Sequence, residues 1–142
     1  MKKKVFLAAA VALGTMLMAT PVFAGNNGWN RDNRGWWYQF SNGSYARSSW
    51  VSVNNSWYFM DASGYMQTGW LNDGSGWYYL DTNNGNMCMG WVNVNGNWYY
   101  MNPANGGRML ANGYTPDGYY VDGNGVYRPG VGTAQSGGQD NS

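Results

Sequence analysis

No histidine occurs anywhere in this 142-residue sequence, and cysteine occurs once, at Cys88. Cys/His zinc sites, disulfide frameworks and Ser–His or Cys–His nucleophile pairs are thereby excluded within one chain. The lone thiol reads as a small buried hydrophobe, with cross-linking of two copies as the other reading. Glutamate and isoleucine are also absent, and lysine is confined to positions 2–4. Beyond residue 24 there are only three leucines and seven valines. So few aliphatics argue against an ordinary two-layer core. No segment in that stretch carries a 3.6-residue apolar period, so no helix is expected there.

Lys2, Lys3 and Lys4 precede a short apolar run from Val5 to Met18, and Val22-Phe23-Ala24 offers small residues at a cleavage point. Residues 1–24 therefore read as a secretory signal peptide. The run is too short for a membrane span, and none is expected after cleavage. The 118 residues that follow carry five arginines against seven aspartates, a net charge of −2. Without clustered Lys/Arg, electrostatic binding of nucleic acid is disfavoured.

Aromatic residues are abundant. After residue 24 come nine tryptophans, twelve tyrosines and two phenylalanines, set among 21 glycines and 19 asparagines. Disordered chains are poor in aromatics, so these rings belong to a folded body. They recur with a period. Trp37, Trp57, Trp77 and Trp98 lie 20, 20 and 21 residues apart, with Tyr119 following after 21. Trp50, Trp70 and Trp91 form a second series, and Gly43, Gly64, Gly85 and Gly106 a third. Such self-similarity marks a repeat architecture with atypical end units.

Each unit reads as a β-hairpin. Asn54-Asn55, Asp73-Gly74 and Asn95-Gly96 are turn pairs that tolerate positive φ, between runs rich in aromatic and β-branched residues. Pairing Trp50 with Phe59 sets Trp50, Trp57 and Phe59 on one face and Val51, Val53, Tyr58 and Met60 on the other. A lone hairpin is marginal in water, so stacking of hairpins is expected to bury both faces. The fold expected is all-β, a hairpin-repeat solenoid of about 20–21 residues per repeat. Residues 35–127 would form the repeat domain, beginning with a half-repeat at Gly35-Trp36-Trp37-Tyr38. Residues 25–34 read as a flexible lead-in and 128–142 as a disordered tail. Asp61, Asp81, Asn102 and Asp122 recur in phase after each aromatic run. They suit turns, which Asp and Asn stabilise by bonding their own backbone, better than a calcium or catalytic role. The middle tyrosines Tyr58, Tyr78 and Tyr99 read as core.

The pattern Gly-Trp, six residues, Trp-Tyr-Tyr, then Gly and Met before the next Gly-Trp resembles the choline-binding, or cell-wall-binding, repeat of Gram-positive surface proteins, autolysins and phage lysins. The resemblance covers residues 35–127. It implies a left-handed solenoid of hairpins and choline on teichoic acids as ligand. It also implies cages made of both tryptophans of one repeat, the last aromatic of the next Trp-Tyr-Tyr and a methionine. Carried over by position, the cages are Trp50, Trp57, Tyr79 and Met66; Trp70, Trp77, Tyr100 and Met87; and Trp91, Trp98, Tyr120 and Met109. The partner implied is choline-bearing teichoic acid or another cell-wall polysaccharide, at the bacterial surface, with no cofactor and no catalytic residue. Oligomeric state is left open. A neutral glycan is the alternative ligand, because Asn72, Asn93 and Asn97 could hydrogen-bond a sugar beside the rings. A hydrolase is disfavoured, since any acid–base pair would have to come from seven aspartates.

Overall fold

The computed structural model describes residues 27–131. The signal peptide expected over residues 1–24 and most of the expected tail lie outside the described residues. Within them the chain is a succession of antiparallel hairpins. β1 (Gly28–Arg31) pairs with β2 (Trp36–Gln39), β3 (Ser49–Val53) with β4 (Ser56–Met60), and β5 (Gly69–Asn72) with β6 (Trp77–Leu80). β7 (Gly90–Val94) pairs with β8 (Asn97–Asn102), which also carries β9 (Arg108–Met109). β10 (Gly113–Tyr114) pairs with β11 (Tyr120–Val121). A 3-10 turn at Pro103–Asn105 is the only helical element among the described residues. The fold is thus the expected all-β hairpin repeat.

Local chemistry explains the tight turns of β3–β4 and β7–β8, whereas the turn expected at Asp73-Gly74 is a longer one: only Gly74 of that pair has positive φ, and the Asp73 N–H donates to the Gly76 carbonyl at 3.3 Å. Asn54 and Asn55 have φ of 51° and 68°, and Asn95 and Gly96 have 52° and 90°. Two consecutive positive φ angles make the tight turn whose twist matches the flanking strands. The register sets Trp50 opposite Phe59 and Val51 opposite Tyr58, as the alternation of side chains required. A second, recurrent turn follows each hairpin. Asp61 accepts the N–H groups of Ser63 and Tyr65, at 2.8 and 3.0 Å. Asp81 accepts those of Asn83 and Asn84, Asn102 that of Ala104, and Asp122 those of Asn124 and Val126. These side chains hold the turn by substituting for backbone partners.

Contacts divide the chain into two compact units. The first runs through Leu71 and takes in Leu80–Met87; the second comprises Asn72–Tyr79 and the chain from Cys88 onward. In the first, Ala46, Val51 and Met60 are buried under Trp29, Tyr38, Phe40, Val53, Tyr58 and Met66. In the second, Met101 and Val121 are fully buried, and Tyr78 nearly so. Val51, Met60, Leu71, Leu80, Met101 and Val121 are the buried aliphatic or thioether side chains of β3, β4, β5, β6, β8 and β11, each burial contributing about 1.5–3 kcal/mol.

Two boundaries differ from the sequence expectation. Residues 28–31 are not a loose lead-in but the strand β1, with Trp29 paired to Tyr38 and Arg31 to Trp36. The opening unit is a full hairpin because Trp29 gives its first strand a ring to pack. At the other end Arg128 is anchored, its N–H donating to the Tyr120 carbonyl at 2.9 Å and its Nε to Asp122 at 2.7 Å.

Methionines fill the recurrent turns. A Cβ on Gly85 would overlap Met66, and one on Gly125 would overlap Met109; both glycines have positive φ. Gly125→Ala should therefore cost about 2–4 kcal/mol, from left-handed strain and overpacking together. Gly96→Ala, with comparable φ but nothing near the added carbon, should cost about 1 kcal/mol. Urea denaturation of the two variants measures the difference, and equal losses would contradict the packing role.

Candidate functional site: an aromatic box

The strand pair β7–β8 sets Trp91 opposite Tyr100 and Asn93 opposite Trp98. Side chains two apart share a face, so Trp91, Trp98 and Tyr100 point the same way. The backbone N–H of Tyr127 donates to the Trp98 carbonyl at 2.9 Å, bringing Tyr127 beside that face. Tyr119 precedes β11. Trp91, Trp98, Tyr119 and Tyr127 line a cavity of about 370 Å³. Trp98 is 45% and Tyr119 43% exposed, so both rings face solvent as well as the cavity.

Three of the rings form the corner of a box. Trp91 meets Tyr119 at 74° and 6.2 Å between centroids, and Tyr127 at 77° and 5.8 Å. Tyr119 meets Tyr127 at 89° and 5.7 Å. Edge-to-face contacts of this kind set the positive edge of one ring against the negative face of another. Mutually perpendicular planes cannot stack a flat ligand between them all. They suit a rounded group presented to several faces at once.

The box rests on a short loop. Buried Thr115 donates its hydroxyl to Asp117 at 2.6 Å and accepts the Tyr119 N–H at 3.0 Å. The Trp91 indole N–H donates to the other Asp117 carboxylate oxygen at 3.3 Å. The Thr115 hydroxyl first, and the Trp91 indole second, hold the Asp117 carboxyl below the usual carboxylate range. Asp122 is lowered likewise by the Val126 N–H and Arg128, and Asp32 by the Arg34 N–H and the Tyr65 hydroxyl.

Part of this arrangement recurs in the first unit. Met66 donates its N–H to the Trp36 carbonyl at 2.7 Å, as Tyr127 does to Trp98. Trp29 meets Trp36 at 88° and 6.3 Å, and Tyr58 at 74° and 4.8 Å. Trp29, Trp36, Tyr58 and Met66 are thus the counterparts of Trp91, Trp98, Tyr119 and Tyr127. The Arg31 guanidinium carbon lies 5.6 Å from the centre of the Trp36 ring, so this ring already has a cation beside it.

Comparison with known proteins identifies the repeat. Residues 46–90 match the choline-binding repeat and residues 89–106 a cell wall binding repeat. A 41-residue segment is 39% identical to the lysin of Pneumococcus phage Dp-1. The fold superposes on choline binding protein F of Streptococcus pneumoniae with a TM-score of 0.66 and 40% identity over 72% of this chain. It superposes on the modular Cpl-1 endolysin with a TM-score of 0.55 and 29% identity over 81%. The repeats of this chain belong to the choline-binding, cell-wall-binding family. The chain spans only 14% of the phage lysin, and 33% and 40% of the two solved chains.

The expected site residues of this choline-binding repeat chain distribute unevenly. Trp91 and Trp98 meet in the box, but its other walls are Tyr119 and Tyr127 rather than Tyr120 and Met109. Tyr120 is turned to Tyr114, its cross-strand partner, at 5.2 Å, and Met109 covers Gly125. Trp50, Trp57 and Met66 lie in the first unit and Tyr79 in the second. Trp70 and Met87 lie in the first, Trp77 and Tyr100 in the second. Met87, not Met66, donates its N–H to the Trp57 carbonyl, at 2.7 Å. Met66 belongs one unit earlier, beside Trp36. Trp29 and Trp36 were not among the expected cage residues, although Trp29 lies 21 residues before Trp50 and Trp36 lies 21 before Trp57.

The carboxyls of Asp32, Asp117 and Asp122 are more acidic folded than unfolded. Their stabilisation is complete above the unfolded value near pH 4 and is lost as pH falls through the lower folded values. The thermal midpoint should be nearly flat from pH 7 to about pH 5 and fall below about pH 4. A midpoint that rose on acidification would contradict the hydrogen-bond assignment.

Proposed function

We propose that this chain is a non-catalytic, secreted module that attaches to the bacterial cell wall by holding choline-type groups of teichoic acids in aromatic boxes. The observation that carries the reading is the set of three mutually near-perpendicular rings at Trp91, Tyr119 and Tyr127, with Trp98 as the fourth wall. A quaternary ammonium has no N–H to donate. It is recognised through the negative faces of aromatic rings, at about 0.5–2 kcal/mol per contact depending on desolvation. Several such contacts, less the cost of association, correspond to roughly millimolar affinity for free choline. A polymer bearing many cholines gains about 10²–10⁴ in avidity if two sites are engaged together. The counterpart set at Trp29, Trp36, Tyr58 and Met66 is the natural second site.

A non-catalytic role is supported by what three of the seven aspartates already do. Asp61, Asp81 and Asp122 accept turn N–H groups. A general acid–base pair needs carboxyl groups within reach of a bound substrate, not committed to backbone. The wall location and secretion rest on the family and on the leader-like first 24 residues.

The test is retention of the purified protein on a tertiary-amine resin, with elution by free choline. A Trp91→Ala/Trp98→Ala variant, checked for folding by circular dichroism, should elute earlier and lose at least tenfold in choline affinity by fluorescence titration. Flow-through of the folded wild type, with retention on glucan or other wall polysaccharide instead, would overturn the choline reading in favour of a sugar platform.

A further inference from the structure

Resting on that reading, we infer that Asp117 is a specificity-determining residue of the second unit's box: its carboxylate, bonded to the indole N–H of a wall tryptophan, selects a cation over a neutral group of the same shape. Three features of the geometry converge. The carboxylate meets Trp91 at its indole N–H, at 3.3 Å, which is the edge of the ring and not its face. Its second oxygen is held by Thr115 at 2.6 Å, which fixes the carboxylate against the indole. Thr115 also receives the Tyr119 N–H at 3.0 Å. One Thr-Pro-Asp-Gly loop therefore orients two of the four walls and sets a fixed negative charge behind one of them.

Two physical effects follow. A cation on the Trp91 face sits about one indole width from a unit negative charge, and the attraction is direct. An anion accepting the indole N–H also pushes electron density into the ring, which deepens the negative face that a cation meets. A neutral tert-butyl group of identical outline gains neither. The carboxylate is exposed, so its contribution is modest and screened by salt. The counterpart box in the first unit differs in sign: its Trp36 has the Arg31 guanidinium 5.6 Å from the ring centre. The carboxylate also bears on the choice between choline and sugar, because a neutral sugar would draw no benefit from it.

The experiment compares choline with its neutral isostere 3,3-dimethyl-1-butanol, by fluorescence titration of wild type and Asp117→Asn. Wild type should favour choline, and the preference should shrink as salt rises from about 20 to 500 mM. In Asp117→Asn choline affinity should fall about two- to fivefold while that of the isostere holds. Equal weakening of both ligands would mean that Asp117 only positions Trp91. Unchanged choline affinity in the variant would likewise overturn the inference, as would a wild-type preference insensitive to salt. The salt series on wild type needs no variant and stands if Asp117→Asn folds poorly. A wild type that bound neither ligand would sink the choline reading itself, a result distinct from any of these.

Discussion

Everything in this structure depends on burying large rings in units too small to bury them alone. A hairpin of two strands of four or five residues has no inside. The chain has few aliphatic side chains to make one, so tryptophan and tyrosine carry the packing. They do so edge to face, at angles of 62–89° in the second unit. Edge-to-face packing leaves ring faces unspent at the surface, and those faces become the walls of the box. The same rings pack the unit and line the cavity, which is why composition alone could not divide a structural from a binding role.

The turns do the remaining work. A phased Asp or Asn closes each recurrent turn, and glycine then admits a methionine where any Cβ would collide. Met66 packs on Gly85 and Met109 on Gly125 in this way. The position five residues after the phased aspartate is filled by Tyr127, beside Trp98, and by Met66, beside Trp36. A closing ring replaces a closing methionine at Tyr127.

The hairpins, their period, the register of Trp50 with Phe59 and the Asx turns were legible from alternation and spacing. Phase at the opening unit was not. Trp36 and Trp37 are adjacent, and a spacing of 20 or 21 fits either; only the strand pairing, with Trp36 exposed and Trp37 buried, decides between them. Trp29 was hidden because polar Asn and Gly neighbours made residues 25–34 read as a flexible lead-in. Tyr119 and Tyr120 posed the same ambiguity at the far end. A one-residue slip in β-structure moves a side chain to the opposite face, so a ligand set transferred by counting was most fragile where adjacent aromatics occur. Trp91 and Trp98, the two expected residues that line the cavity together, have no aromatic neighbour that breaks the phase at Trp91, and at Trp98 the turn Asn95-Gly96 pins the register.

The central claim is that perpendicular ring faces, not hydrogen bonds, recognise the ligand. The most direct test is a crystal structure of the protein soaked in choline. The account requires the trimethylammonium between Trp91, Trp98, Tyr119 and Tyr127, with its methyl groups against ring faces. Choline bound elsewhere, or an empty box at concentrations that saturate the protein in solution, would contradict it.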